Sequence, residues 1–159
     1  MWGNFQINGR NVVAIFTEDG WSAMLTKSFY TEDKGVWFYV TAPDDGNVKL
    51  DTNRPPFVFC GEELVLDCGA ALRMELITAK TSEAATVFPE FYDALDDRMG
   101  ARIWHGKAAE GKSIFINHLL AANQITVQLF ILPFGNKPIK FPMQGFSTTL
   151  RNSFPEYFS

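Results

Sequence analysis

The strongest constraint on the fold of this chain is a regular succession of short strand-like segments separated by turn sequences. Asn8-Gly9, the dipeptide that most readily takes positive φ at both central positions of a tight hairpin, joins two such segments. Further turn sequences begin at Thr17 and Thr31, and each precedes a segment rich in aromatic and β-branched residues. This pattern predicts that the first part of the chain forms an antiparallel meander.

Strand-like patterns continue along most of the chain. The predicted strands are residues 2–7, 11–16, 21–29, 36–41, 48–51, 57–60, 64–66, 70–80, 101–105, 113–117, 125–132 and 139–143. Residues 70–80 also fit a helical spacing, although a strand is favoured there. Pro89–Met99 is the predicted helix, because Pro suits a first helical position and Phe91, Leu95 and Met99 then share one face. Residues 118–122 add a single helical turn.

Many short strands and one or two short helices predict a mainly β fold, either an antiparallel β-sandwich or a barrel-like meander. With 159 residues, of which 47% are hydrophobic, the chain can bury a core without disulfides or a metal. The sequence contains no linker or low-complexity tract. We therefore expect residues 1–159 to form a single all-β domain.

Charge and hydropathy limit the partners that we expect. The net charge is -4 and the pI about 5.1, which is the wrong sign for binding nucleic acid or an anionic membrane. Residues 125–134 are the longest apolar stretch, too short for a membrane helix, so no transmembrane segment is predicted. The first residues lack the pattern of a signal peptide. Two alternatives stay open: a cytoplasmic protein, or an exported protein whose leader has been removed.

Two cysteines and two histidines are the main candidates for chemistry. His105 and His118 have no metal-ligand spacing around them, so neither a metal nor a cofactor is expected. A Cys/His nucleophile pair would make the chain a small hydrolase, but no cation lies beside Cys60 or Cys68 in sequence to favour a thiolate. Each cysteine precedes a glycine and the two flank a short strand. We predict a Cys60–Cys68 disulfide if the protein is exported, with two buried thiols as the alternative.

The segment from Gly106 to Ser113 satisfies the phosphate-binding pattern G-x-x-x-x-G-K-[ST] by letter. That motif requires a helix directly after it, so that backbone amides point at the phosphates. Residues 113–116 have a strand pattern, and the match is therefore interpreted as chance. A nucleotide-dependent enzyme stays as a competing hypothesis.

Exposed tryptophans could stack on a ligand, and Trp21, Trp37 and Trp104 are the candidates. The alternative is that these rings are core, because aromatic side chains supply the largest buried areas in a small domain.

The C-terminal part, about residues 117–150, resembles the invasion-associated locus B family. The resemblance is carried by His118-Leu119-Leu120-Ala121-Ala122-Asn123-Gln124-Ile125-Thr126-Val127-Gln128-Leu129 and by the segment from Gly135 to Leu150, which ends in Gly-Phe-Ser-x-x-Leu. Proteins of that family are similar in having a short helix, a strand, a turn with Gly and Pro, a strand with Phe-Pro, and Gly-Phe before a helix. The resemblance implies a small all-β bacterial protein that acts outside the cytoplasm and, in pathogens, takes part in host-cell invasion. It supplies no catalytic residues for this chain.

These observations favour a non-enzymatic, periplasmic or secreted binding module whose partner is a protein or a cell-envelope component. The competing functions are a small hydrolase with a Cys/His pair and a β-sandwich that binds a small ligand or a glycan. The sequence leaves the oligomeric state open.

Overall fold

A computed structural model gives the fold of the chain. It describes residues 1–7, 10–27, 35–43, 51, 54, 56–67, 75–78, 99–107, 114–133 and 135–158. These residues contain ten strands and two helices. The strands are β1 (Gly3–Ile7), β2 (Arg10–Phe16), β3 (Ser22–Lys27), β4 (Gly35–Thr41), β5 (Phe57–Cys60), β6 (Glu63–Asp67), β7 (Glu75–Thr78), β8 (Met99–Lys107), β9 (Gln124–Phe130) and β10 (Asn136–Pro142), and the helices are α1 (Ile114–Ala121) and α2 (Phe146–Ser153).

The first four strands form the predicted meander. They lie side by side in a six-stranded antiparallel sheet with the order β1-β2-β3-β4-β8-β7. Ile7 pairs with Arg10, so two residues connect β1 to β2, as Asn8-Gly9 predicts. Gly20 has a φ of 92°, and its amide donates to the carbonyl of Thr17 across the second predicted turn. Local turn chemistry therefore explains why β1, β2 and β3 are neighbours, while the turn predicted at Thr31 lies outside the described residues.

A four-stranded antiparallel sheet has the order β10-β9-β5-β6. Its two hairpins, β9 with β10 and β5 with β6, join through the pairing of β5 with β9, in which Val58 is opposite Val127. The chain is thus mainly β with two short helices, which confirms the predicted antiparallel, sandwich-like fold class.

Both sheets and both helices contribute to one hydrophobic cluster. Phe38 from the large sheet and Phe115 from α1 meet edge to face with their ring centroids 5.7 Å apart. The buried members are Trp2, Val13, Ile15, Trp21, Ala23, Leu25, Val36, Phe38, Val40, Ala42, Val58, Leu66, Phe115, Ile116, Leu119, Ile125, Val127, Leu129, Ile139, Phe141, Met143, Phe146, Leu150, Phe154 and Phe158.

The central strands of the large sheet are buried on both faces. Successive side chains of a strand point to opposite faces, yet every residue from Ser22 to Thr26 and from Val36 to Thr41 is buried. Polar groups on the second face are hydrogen-bonded: the hydroxyl groups of Ser22 and Thr41 share a hydrogen bond, and the Thr26 hydroxyl donates to the backbone carbonyl of Asn11. A strand buried on both faces is expected to have a continuous apolar sequence, as β4 has.

Helix α1 overturns one sequence prediction. Residues 113–117 were predicted to be a strand, but the helix begins at Ile114 and continues through the predicted turn at His118. Phe115, Ile116 and Leu119 are buried while Asn117 is exposed, which is a helical pattern. A short run such as Ile-Phe-Ile fits either state locally, and here burial against the core favours the helix.

The other predicted elements are described only in part. Met99, the last residue of the predicted helix 89–99, begins β8, and residues 89–98 lie outside the described residues. Within the predicted strand 70–80, the described residues form β7. Of the predicted strand 48–51 only Asp51 is described, and it lies outside any strand. No helix in the described ranges has both the length and the apolar character needed to cross a membrane.

The Gly-Phe-Ser-x-x-Leu sequence has a packing role. Gly145 has a φ of 82° at the N-cap of α2. The next residue, Phe146, is buried and meets the Trp2 ring edge to face at 4.8 Å. Leu150 is buried one turn later. These residues attach α2 and the C-terminal segment to the N-terminus of the chain.

Candidate functional site

A groove of about 440 Å³ opens at one end of the small sheet, and we call it the Lys140 groove. Three separate parts of the chain line it: the end of β5, the junction between α1 and β9, and the middle of β10. Its lining residues are Cys60, Gly61, Ala122, Asn123, Gln124, Thr126 and Lys140.

Strand register places the polar groups of the groove. Thr126 in β9 is opposite Phe59 in β5 on one side and Lys140 in β10 on the other. The neighbouring pair, Ile125 and Phe141, is buried in the core. Because side chains alternate along a strand, Thr126 and Lys140 lie on the outer face of the sheet. The hydrophobic pattern of β9 and β10 therefore directs a hydroxyl and an ammonium group into the groove.

Lys140 is the one charged residue among the described groove residues. Its side chain is exposed and makes no ion pair with any other described residue. The amides of Asn123 and Gln124, both exposed, and the Thr126 hydroxyl offer hydrogen-bond donors and acceptors beside it. This set of groups can bind a hydroxyl-rich ligand that also carries a carboxylate.

Cys60 is the nucleophile candidate that lines this groove, and its surroundings oppose that role. Its thiol donates to the backbone carbonyl oxygen of His118, with Sγ 3.9 Å from the oxygen. Burial, and secondarily the negative charge of Glu63, raises the pKa of the Cys60 thiol. A nucleophilic cysteine needs the opposite shift, towards thiolate at neutral pH. The structure thus brings Cys60 to His118, but through the backbone of the helix, and the raised pKa disfavours the thiolate.

The other candidates for catalysis or cross-linking lie apart from this groove or outside the described residues. Cys60 is a free thiol in the structure, while Cys68, its predicted disulfide partner, lies outside the described residues. The backbone of His105 pairs with Trp37 in the large sheet. In the ranges that the structure describes, no group of three His, Cys, Asp or Glu residues could hold a metal ion.

Two of the three tryptophans proposed for ligand stacking are in the interior. Trp21 is 2% exposed and Trp37 is 3% exposed, so neither offers a ring face to a ligand. Trp104 lies in β8, where its backbone is opposite that of Phe38 in β4. Among the residues that the structure describes, the exposed aromatic rings are instead those of Phe5 and Phe16, at 41% and 50% exposure, which the sequence does not mark as candidates.

The phosphate-binding pattern from Gly106 to Ser113 has a different context from the one predicted. Strand β8 ends at Lys107 and helix α1 begins at Ile114, so a strand precedes the segment and a helix follows it. The sequence argument against the motif, that a strand follows it, was wrong. Residues 108–113 lie outside the described residues. The sheet differs from the parallel sheet of phosphate-loop proteins, because β8 is antiparallel to both β4 and β7.

Comparisons of the chain with protein-family models, with curated proteins and with solved structures find no match. The geometry of the candidate site is therefore what indicates the ligand that it could bind.

Proposed function

We propose that this protein is a non-enzymatic binding module that recognises a carboxylate-bearing, hydroxyl-rich component of the cell envelope through the Lys140 groove. The observation that carries the proposal is the lining itself: one exposed lysine without an ion pair among the described residues, beside two amides and a hydroxyl. An acidic glycan has the matching groups, because its carboxylate suits the ammonium and its hydroxyls suit the amides.

A binding role is favoured over hydrolysis by the state of the thiol. Cys60 lines the groove, but burial and the charge of Glu63 raise the pKa of its thiol, and its hydrogen bond goes to a carbonyl rather than to an imidazole. The extracytoplasmic location belongs to the same proposal and depends on the resemblance of residues 117–150 to the invasion-associated locus B family. Cell fractionation, with sequencing of the N-terminus of the native protein, tests that location.

Titration followed by NMR chemical shifts tests the groove. A short oligogalacturonate supplies carboxylates and hydroxyls, a malto-oligosaccharide supplies hydroxyls only, and an acidic peptide supplies carboxylates only. We expect the oligogalacturonate to shift the amides of residues 60–61, 122–126 and 140, and to do so more than the other two probes.

Two lysine variants make the test specific. Lys140→Ala removes the ammonium from the groove and should remove these shifts. Lys137→Ala, its matched control, makes the same charge change on the same strand but outside the lining, and should preserve them. Equal binding by the wild type and Lys140→Ala, or shifts outside the groove, would contradict the proposed site.

A further inference from the structure

The first strand of the large sheet is an edge strand within the part of the chain that the structure describes. β1 is at the end of the strand order, and β2 is its partner among the described strands. Asn4, Phe5 and Gln6 are consecutive exposed residues in it. A strand at a sheet edge carries a row of backbone N–H and C=O groups that another strand can pair with.

The end strands of the small sheet are protected and β1 is not. Proteins block free edges with Pro, Lys and other charged residues. β10 contains two lysines, Lys137 and Lys140, and two prolines, Pro138 and Pro142. β6 begins with Glu63 and ends with Asp67. β1 has the sequence Gly-Asn-Phe-Gln-Ile, with no charge and no proline. Its edge therefore lacks these devices against strand addition.

The two faces of β1 carry different groups. On one face, the rings of Phe5 and Phe16 meet edge to face at 5.5 Å, and Gly3 leaves the space over which the Phe5 ring extends. On the other face, the Gln6 amide donates to Asn4 at 3.1 Å, and the Asn4 amide donates to the Ser153 hydroxyl at 2.7 Å. The strand thus shows one aromatic face and one amide face.

We propose that β1 pairs antiparallel with β1 of a second copy of this chain, about a two-fold axis that passes beside Phe5. In this register Phe5 faces Phe5 of the second copy, Asn4 faces its Gln6, and Gly3 faces its Ile7. Each contact away from the axis therefore occurs twice, with the two copies exchanged, as in an isologous interface. The two Phe5–Phe16 pairs then lie on the same face of the joined sheet, one on each side of the axis.

A second copy is the occupant that the strand fits best. In the antiparallel register centred on its middle residue, the five residues of β1 bring no charged side chains together, because none of them is charged. Two five-residue strands bury less surface than a standard interface. We therefore expect a weak dimer that dissociates on dilution.

Sedimentation velocity over a range of concentrations tests this interface. The wild type should change from monomer to dimer as its concentration rises. Phe5→Lys and Phe5→Glu should each be monomeric, because two like charges then face each other at the axis. An equimolar mixture of the two variants should dimerise again, because the lysine then faces the glutamate. Leu64→Lys, a matched change at another exposed apolar residue, should dimerise as the wild type does.

Amide exchange on the wild type supplies a readout that needs no variant. The backbone amides of β1 that point away from β2 should exchange with solvent more slowly as the protein concentration rises. A wild type that stays monomeric at the highest soluble concentration would overturn the inference, and so would a dimer that survives both Phe5 variants. Failure of the groove proposal is separate, because Lys140→Ala leaves this edge unchanged and should dimerise normally.

Discussion

The indole N–H of Trp2 donates a 2.8 Å hydrogen bond to the carbonyl oxygen of Pro142, so that the start of the chain is bonded to the last residue of β10. The same ring meets Phe146 edge to face and is 3% exposed. One side chain therefore joins the end of the small sheet, the first turn of α2 and the entrance to β1. The packing of this corner therefore depends on the size of the Trp2 side chain and on its indole N–H group.

Trp2→Phe is expected to lower the free energy of unfolding by about 2 kcal/mol, because it removes a part-buried hydrogen bond and leaves a smaller ring in the same space. The change in urea midpoint, with the slope of the transition constant, measures this effect. Phe16→Leu, at a half-exposed ring, should shift the midpoint much less. Equal shifts in the two variants would show that the Trp2 corner contributes no more than a surface residue.

The sequence predicts well those parts of the fold that depend on neighbouring residues. Asn8-Gly9 and Thr17–Gly20 specify their hairpins because turn chemistry is local. The pairing of β5 with β9 has no local signal, since dozens of residues separate the two strands and their sequences fit many partners. Helix α1 was misassigned for a related reason: the environment of Phe115, a core formed by distant strands, determines its state.

The candidate site was harder to predict than the fold. Cys60 was selected because of its chemistry, but nothing in the sequence marks Lys140 or Thr126 as a binding residue, and the register of β9 and β10 brings these two together. The tryptophans were selected because exposed rings bind ligands. Burial of both faces of the central strands, which the strand sequence of β4 could have indicated, places Trp37 inside instead.

Gly145→Ala should destabilise the protein, because Gly145 has a φ of 82° at the start of α2. A residue with a Cβ atom in this region costs about 1–2 kcal/mol. A Cβ atom there would also lie 3.0 Å from Cγ of Met1.

Gly61→Ala is the matched control for that variant. Gly61 has a φ of 62°, but a Cβ atom there meets nothing within 4 Å. Both variants should lower the thermal midpoint, with Gly145→Ala lowering it at least as much. A Gly145→Ala protein as stable as the wild type would contradict this account of the Gly-Phe sequence.

Both cysteines are expected to react in unreduced protein that is denatured and alkylated. Cys60 is a free thiol in the structure, although the sequence predicts a disulfide between it and Cys68. Mass spectrometry decides between the two: an unalkylated pair of cysteines would establish the bond.

Alkylation of native Cys60, measured in a Cys68→Ala variant, should have a pH midpoint above that of an ordinary thiol. Burial and the charge of Glu63 raise the pKa of the thiol, so less thiolate is present at a given pH. Glu63→Gln should lower the midpoint only in part, because burial is the larger cause. A midpoint below the ordinary value would revive the hydrolase hypothesis.

The same raised pKa links stability to pH. The thiol of the unfolded chain ionises at a lower pH than the thiol of the folded chain. The stability that the raised pKa contributes is therefore fully present below the ordinary thiol pKa. It is lost as the pH rises through the higher pKa of the folded state. Unfolding free energies measured on both sides of this range should fall with pH, and less steeply in a Cys60→Ser variant.

Magnesium with ATP or GTP should leave the thermal midpoint of the wild type unchanged, although a strand precedes Gly106–Ser113 and a helix follows it. In a phosphate-loop protein, the neighbouring strands of a parallel sheet present their carboxyl ends beside the loop. Here Lys107, at the end of β8, lies opposite Gly35 at the start of β4. If Gly106–Ser113 is only a connection, Lys112→Ala should keep its stability to within about 0.5 kcal/mol of the wild type, as is usual for surface substitutions. A magnesium-dependent rise in the midpoint that disappears in Lys112→Ala would establish nucleotide binding and contradict this prediction.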